Sequence, residues 1–308
     1  MFSSRVRVHA PATVANLVCG FDILGMSLNE PYDIMEVSLT TIPGVVIKHH
    51  DNFNLPEKSE ENVAGIVLLE LIKIYGLNHG FEVNIDKRIK PGSGLGSSAA
   101  SAAGAIVAAN HLLGNRLSLN EMVQVAMYGE KLASGIKHAD NVTPCITGGI
   151  SLIRSIHPLD IVTIPAPSLH VTVIHPQIEV KTSDARQILK QQVSLKDAIR
   201  QWGNIAGLVT GLMNNDSELI SRSLEDVIIE PVRSILIPGF KELKEQSISA
   251  GAIGGGIAGS GPSVFMFSAS DSTAKKVEDV MKSVYDRIGL GYYTYVTTIG
   301  SGVKIVSS

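Results

Sequence analysis

The sequence predicts an α+β protein of two domains, and three observations carry that expectation. Strand and helix patterns are segregated in the first half of the chain and mixed in the second, without the regular strand-helix alternation of a doubly wound sheet. At 308 residues the chain exceeds the size at which single cores stop growing, about 250–300 residues. The composition also shifts in mid-chain, so the division is expected at residues 1–160 and 161–308.

Each element follows from its own pattern. Arg5–His9 alternates as a half-buried strand, and after a loop Tyr32–Leu39 and Val45–His49 read as further strands. Asn62–Tyr75 carries Ile66, Leu69, Ile72 and Ile74 at spacings that suit a helix, and Phe81–Ile89 returns to strand. That strand runs into a glycine loop and an alanine-rich segment, Ser98–Leu113, read as a buried helix. Ser118-Leu-Asn-Glu121 is a capping-box pattern that opens the next helix, expected to reach about Ser134. Gly148–Arg154 is a strand, Ile161–Pro167 with its two prolines a crossing segment, and His170–His175 the first strand of the second unit. Helical patterns follow at Thr182–Leu189, Ser194–Asn214, Ser217–Ile228 and Phe240–Ile248. Strand Ser263–Ser268, helix Ser272–Ile288 and a strand region around Tyr292–Val306 complete the chain.

Composition excludes several function classes. With 44% hydrophobic and 18% charged residues the chain is too apolar for intrinsic disorder. A net charge of −3 supplies no field that would hold nucleic acid or an anionic membrane. Two cysteines, Cys19 and Cys145, form neither a disulfide framework nor a metal-site pattern and fit a reducing compartment. The segment Met1–Val8 lacks the apolar core of a signal peptide, so a cytoplasmic protein is expected.

The charge deficit is local. Pro91–Asn115 and Gln246–Ser270 contain no Asp, Glu, Lys or Arg, and they hold eleven of the 29 glycines. A membrane span needs about 20 predominantly apolar residues, whereas these windows are built from Gly, Ser and Ala with Pro91, Asn110, His111, Gln246 and Pro262 among them. No membrane segment is expected.

Pro91-Gly-Ser-Gly-Leu-Gly-Ser-Ser-Ala-Ala100 places a glycine loop between a strand and a helix. Backbone N–H groups then converge at the positive end of a helix dipole, which is an anion site, and phosphate is the usual anion. The loop lacks the lysine of a Walker motif and the spacing of a dinucleotide fingerprint. Cation assistance must come from Mg²⁺ or from elsewhere in the chain, and Ser97 and Ser98 offer hydroxyl ligands. The competing reading has the glycines merely permitting tight packing, with Ser97 as the helix cap. The second window, Gly251–Ser263, has six glycines in thirteen residues and reads as a fixed loop at a strand end or as a flexible linker.

Polar residues in apolar settings come next. Asn16 and Asp22 flank Leu17-Val-Cys-Gly-Phe21, where a buried carboxylate needs a partner. Glu130 stands at the margin of the stripe Met122, Val125, Ala126, Leu132 and Ala133, and an interior carboxylate there suits Mg²⁺. His138, Asp140 and Asn141 follow the helix end, while Arg186 and Arg233 offer guanidinium groups for a carboxylate or phosphate. Each also has a bland reading, as cap, solvated face or surface charge.

Taken together, Pro11–Asp22, Pro91–Ala100 and Gly251–Ser263 resemble, in order, the three motifs of the GHMP kinase superfamily. Pro11-Ala-Thr-Val-Ala-Asn-Leu, Gly20-Phe-Asp22, Lys137-His-Ala-Asp-Asn-Val-Thr-Pro144 and Glu230-Pro-Val-Arg233 are most similar to homoserine kinases within it. The resemblance implies an N-terminal ribosomal-protein-S5-domain-2-like domain that binds ATP and a C-terminal ferredoxin-like α+β domain. It also implies transfer of the ATP γ-phosphoryl group to the hydroxyl of L-homoserine, for threonine biosynthesis. Carried over by position, Pro91, Gly92, Ser93, Gly94, Leu95, Gly96, Ser97, Ser98 and Ala99 would cradle the phosphates, and Asn62 would lie near the adenine. Ser98 and Glu130 would hold Mg²⁺, Asn16 and Asp22 would meet the substrate ammonium, and Arg186 and Arg233 its carboxylate. His138 and Asn141 would orient the hydroxyl, with Asp140 either a general base or not required as one. The resemblance is compatible with a homodimer. Val18-Cys19 stands where the family usually has Gly-Pro, and Ala258 where it usually has Ser. A mevalonate-type kinase and a non-catalytic metabolite sensor are the alternatives.

Overall fold

Alternating burial makes Arg5–Ala15 a strand, β1, but the alternation stops at Ala10 and burial is continuous from there. That is why the pattern in the sequence runs out at His9: the second half of the strand is covered on both faces. In the computed structural model, which describes residues 4–180 and 182–307, β1 pairs antiparallel with a long β2, Leu24–Thr40, through a register shift between Pro11 and Thr13. A proline is tolerated in a strand at such a shift. Of the N-terminal segment considered for a leader, Met1–Ser3 lie outside the described residues.

Strand β3, Val45–His49, runs parallel to β4, Gly80–Asp86, with helix α1, Val63–Tyr75, as the crossover between them. Helices α2, Ser97–Leu112, α3, Leu119–Ser134, and the short α4, Val142–Thr147, follow. Val6, Val8, Met35, Val37, Val83 and Ile85 of the sheet face Leu68, Leu71 and Ile106 of α1 and α2 in one core. The small residues of α2 are explained by approach distance: a Cβ on Gly104 would stand 2.4 Å from Met35 Sδ and 3.1 Å from Ala10 Cβ. The capping box at Ser118 and Glu121 forms as its spacing predicts.

Strand β5, Ile150–Ile156, pairs with β2, and β6, Leu159–Ile164, pairs with β5. The crossing segment expected at Ile161–Pro167 is therefore a strand of the first sheet as far as Ile164, and only residues 165–169 lead on to the second sheet. There β7, His170–Pro176, is followed by α5, Thr182–Gln187, α6, Leu195–Asn214, α7, Ser217–Ser223, α8, Glu230–Arg233, and α9, Phe240–Ser249. Helix α7 stops at Ser223 instead of Ile228, because Asp226 accepts the N–H groups of Ile228, Ile229 and Glu230 and starts α8 instead. Strands β8, Gly254–Ile257, and β9, Val264–Ser268, then α10, Asp271–Ile288, and β10, Tyr292–Thr298, complete the antiparallel order β10-β7-β9-β8. The last strand, β11, Lys304–Ser307, returns to the first sheet beside β1. The architecture is the α+β arrangement expected.

The second glycine window is thus no linker. A Cβ on Gly255 would sit 2.0 Å from the Phe265 carbonyl oxygen, and one on Gly256 would sit 3.2 Å from Val18 Cγ2, so β8 is glycine because neighbours press on it. Among the described residues no helix is long and apolar enough to cross a membrane.

Candidate active site

The two charge-free windows meet. A Cβ on Gly94 would lie 2.5 Å from the Ala258 carbonyl oxygen and 2.7 Å from that of Gly261, and Ser263 N–H donates to the Ser93 carbonyl at 3.2 Å. Gly94 and Gly96 have φ of 80° and 65°, a region glycine occupies at no steric cost. Gly96 begins α2 with no side-chain cap, and the Ala100 N–H is the one that reaches back to Gly96, so the first-turn N–H groups have no partner within the helix. Ser97 is not that cap: its hydroxyl donates to the Ile89 carbonyl at 2.8 Å. The glycine loop therefore leads into a helix N-terminus with free backbone N–H groups, the geometry an anion site needs.

Glu130 and Asp140 supply the acidity. Both are buried, and Glu130 Oε1 and Asp140 Oδ1 make no hydrogen bond. Burial pushes the Glu130 carboxyl up to about 7 against a hydrogen bond with Ser98. Burial, with the Asp22 and Glu130 charges, does the same to Asp140, also to about 7. The buried face of α3 runs through Val125, Ala126, Gly129 and Glu130, whereas Leu132 of the expected stripe is exposed. Gly129 permits this rotation, since a Cβ there would stand 2.8 Å from Val63 Cγ1.

Between β1 and β2 the chain makes a left-handed turn, with φ of 73° at Asn16, 41° at Leu17, 68° at Val18 and 61° at Asp22. L-residues pay roughly 1–2 kcal/mol each for that conformation. Val18, where the motif usually has glycine, is held there by burial. The turn aims Asn16 and Asp22 at the second unit: Asn16 Nδ2 donates to the Gly259 carbonyl at 2.8 Å, and its Oδ1 accepts from Asp22 N–H at 3.1 Å. Arg186 reaches Asp22 with 2.7 and 3.0 Å hydrogen bonds, and His138 Nδ1 is 3.8 Å from the same carboxylate. Burial lowers the His138 pKa, Asp22 opposes the shift, and Arg186 and Arg233 add to it. Arg233 is buried and bonds to the carbonyls of Ala185 and Gly259, at 3.0 and 3.1 Å. Burial, then Arg186, lowers it to about 10, so it stays charged at neutral pH. Asn141 Oδ1 accepts from Thr13 Oγ1 at 2.7 Å, which leaves its NH₂ to donate.

A single cavity of about 440 Å³ collects these groups. Asn16, Asp22, Asn62, Pro91–Gly94, Gly96–Ser98, Glu130, His138, Asp140, Asn141, Arg186 and Arg233 line it. Leu95 and Ala99 do not: their side chains are buried in the core, where the apolar pattern of the loop sends them. Asn62 lines the cavity, but its side chain is committed. Its Oδ1 caps α1 by accepting from Ala64 and Gly65 N–H, and its Nδ2 bonds to the Pro56 carbonyl and His49 Nε2.

The comparisons with known proteins agree along the chain. Family models for the GHMP kinases N terminal domain and the GHMP kinases C terminal match residues 62–149 and 207–287. A homoserine kinase of Chlorobium phaeobacteroides is 43% identical over 298 residues, 91% of each chain. The chain belongs to the homoserine kinase family. A crystal structure of homoserine kinase from Cytophaga hutchinsonii superposes with a TM-score of 0.95 at 44% identity, over 99% of this chain and 98% of that one. The L. major mevalonate kinase, solved with R-mevalonate, shares the fold at a TM-score of 0.74 and 15% identity, over 97% and 98%.

Several cavity residues of this homoserine kinase-family chain escape the sequence reading, Phe21, His49 and Lys87 among them. The Phe21 ring lies within cation–π reach of both guanidinium groups, 5.3 Å from Arg186 and 5.0 Å from Arg233. His49, bonded to Asp51 and Asn62, stiffens the wall beside α1. Lys87 lines the cavity beneath α2. Phe21 could have been found from its place inside the motif, whereas His49 and Lys87 stand in ordinary strand patterns that carry no such signal.

Proposed function

We propose that the chain transfers the γ-phosphoryl group of ATP to the side-chain hydroxyl of L-homoserine, giving ADP and O-phospho-L-homoserine for threonine biosynthesis. One observation carries the reading. A carboxylate, Asp22, and two guanidinium groups, Arg186 and Arg233, share a cavity with an uncapped helix N-terminus. The first three suit a zwitterionic amino acid, and the last suits a triphosphate.

In this reading Pro91–Ser98 and the first turn of α2 hold the phosphates by backbone dipoles. Leu55, Pro56, Val63 and Ala133 supply apolar surface for the base. Asn16 and Asp22 take the ammonium, Arg186 and Arg233 take the carboxylate, and His138 and Asn141 orient the hydroxyl. As the hydroxyl oxygen bonds to the γ-phosphorus, the bond from phosphorus to the ADP oxygen breaks and its electron pair leaves with ADP. Asp140, a buried carboxylate that lines the cavity with its Oδ1 unpartnered, would receive the hydroxyl proton if a dedicated base is used. The protein's main contribution is positioning and charge neutralisation.

The residues fit Mg²⁺. The orphaned Glu130 Oε1 and its neighbour Ser98 are oxygen donors, and among the described residues no cluster of three metal-binding side chains exists. Mg²⁺ is commonly held by one or two carboxylates together with substrate phosphates. Bound there, the ion would neutralise charge on the phosphates during transfer.

The first sheet and its helices, expected at residues 1–160 but running on to Ile164 and rejoined by β11, would then form the ATP-binding unit, and the second unit would complete the acceptor site through Arg186 and Arg233. A cytoplasmic location is supported by two buried free thiols. Magnesium-dependent ADP release measured with L-homoserine, mevalonate, shikimate and galactose tests the proposal. Turnover is expected with L-homoserine. ATP binding without turnover of any acceptor would favour a sensor instead.

A further inference from the structure

Beneath the phosphate loop lies an ion pair that the reaction above does not use. Lys87, one residue beyond β4, and Asp33, on β2, have side chains 1% and 0% exposed and meet at 2.5 Å. The other two Lys87 N–H groups go to the Ser97 carbonyl and to Ser101 Oγ, both at 2.9 Å, in the first turns of α2. The second Asp33 oxygen accepts the backbone N–H groups of Arg88 and Ile89 at 2.7 and 2.9 Å. Every hydrogen-bonding capacity of the ammonium is therefore filled from below the loop.

Stability does not account for this arrangement. Replacing a buried ion pair by apolar residues of similar volume is often neutral or favourable. An ammonium beside a helix N-terminus also opposes the helix dipole, which favours anions there. The placement becomes favourable when an anion occupies the site. Lys87 is among the residues that line the cavity and the fully buried Asp33 is not, so the cationic member of the pair is the one on the cavity side. The loop itself carries no lysine.

We propose that Lys87, oriented by Asp33, is a positioning residue that supplies the fixed positive charge of the triphosphate site, acting through the first turn of α2 and not by contact with phosphate. The proposal rests on the ATP reading given above. Asp33 sets the height of the charge, and Ser97 and Ser101 transmit the constraint to the helix whose N–H groups meet the anion.

Calorimetric titration of ATP, ADP and adenosine into the full chain and into Lys87→Met tests it. A charge role weakens binding in proportion to phosphate charge. ATP is expected to lose roughly tenfold or more, ADP less, and adenosine within about twofold of wild type. Lys87→Arg, which keeps the charge, should recover most of the ATP affinity. Lys87→Met/Asp33→Asn removes both charges together, so that no unpaired Asp33 carboxylate repels the phosphates, and should keep the same grading at reduced size. Equal losses for all three ligands, or none, in either folded variant would overturn the proposal. A wild-type chain that binds adenosine as tightly as ATP would instead strike the ATP reading itself.

Discussion

Arg186 and Asp22 hold each other by a forked ion pair, at 2.7 and 3.0 Å, inside the cavity proposed to take both ends of one amino acid. The free protein thus carries an internal stand-in for the zwitterion. In the proposed reading, binding would exchange one internal pair for two external ones, which only an acceptor with both charges can do.

Asp22→Asn separates that exchange from simple contact. Loss of the charged partner of the ammonium should lower kcat/KM for L-homoserine by about tenfold to a hundredfold. Released from Asp22, Arg186 is free to take a carboxylate, so 4-hydroxybutanoate, which lacks the ammonium, should bind the variant better than the wild type. Steady-state kinetics with both alcohols reads the two effects, and an unchanged response to 4-hydroxybutanoate would sink the exchange.

Glu130 and Asp140 give the ligand-free protein a pH-dependent stability. Their folded-state pKa values, about 7, lie above their ordinary values, so the folded protein holds protons that the unfolded chain has released. Their contribution is complete below about pH 4 and is lost as pH rises through about 7, on the order of a few kcal/mol for the two together. Urea denaturation between pH 5 and 8 without metal should show that decline, less steep in Glu130→Gln.

Asp140→Asn keeps the shape of the side chain and removes its basicity. A general base implies that kcat falls by roughly 10²–10⁴-fold while the KM for L-homoserine stays near wild type. A kcat within a few-fold of wild type would mean that the hydroxyl loses its proton without Asp140.

Gly94→Ala and Gly135→Ala share the left-handed backbone, with φ of 80° and 83°, but not the surroundings. The added methyl at Gly135 meets nothing within 4 Å, so its cost should be about 1 kcal/mol from the backbone alone. At Gly94 it drives into the carbonyl oxygens of Ala258 and Gly261, so the loss should be clearly larger and ATP affinity should fall with it. Thermal denaturation of the two variants side by side checks the difference.

Asn62→Ala removes the cap that ties α1 to the cavity wall. Stability should fall by about 1–2 kcal/mol in chemical denaturation, and Asn62→Asp, which still caps, should retain most of it. A full loss in Asn62→Asp would show that the amide nitrogen, with its bonds to Pro56 and His49, matters more than the cap.

Local chemistry in the sequence determined a good deal. The glycine loop, the capping box at Ser118 and the polar residues of the three motifs are readable because turn conformation and helix termini depend on residues a few positions apart. That logic foretold a glycine loop opening a helix N-terminus at Gly94–Ser98 and an interior carboxylate at Glu130 near it. It could not foretell that Leu95 and Ala99 turn to the core, that Asn62 spends its amide on a helix cap, or that Asp22 pairs with Arg186 across 164 positions. Nor could it single out Lys87, whose partner Asp33 is 54 residues away. Which residues carry the chemistry is written locally, but which of them hold each other is decided by burial and long-range packing, and these exist only once the two sheets and their helices have closed around one cavity.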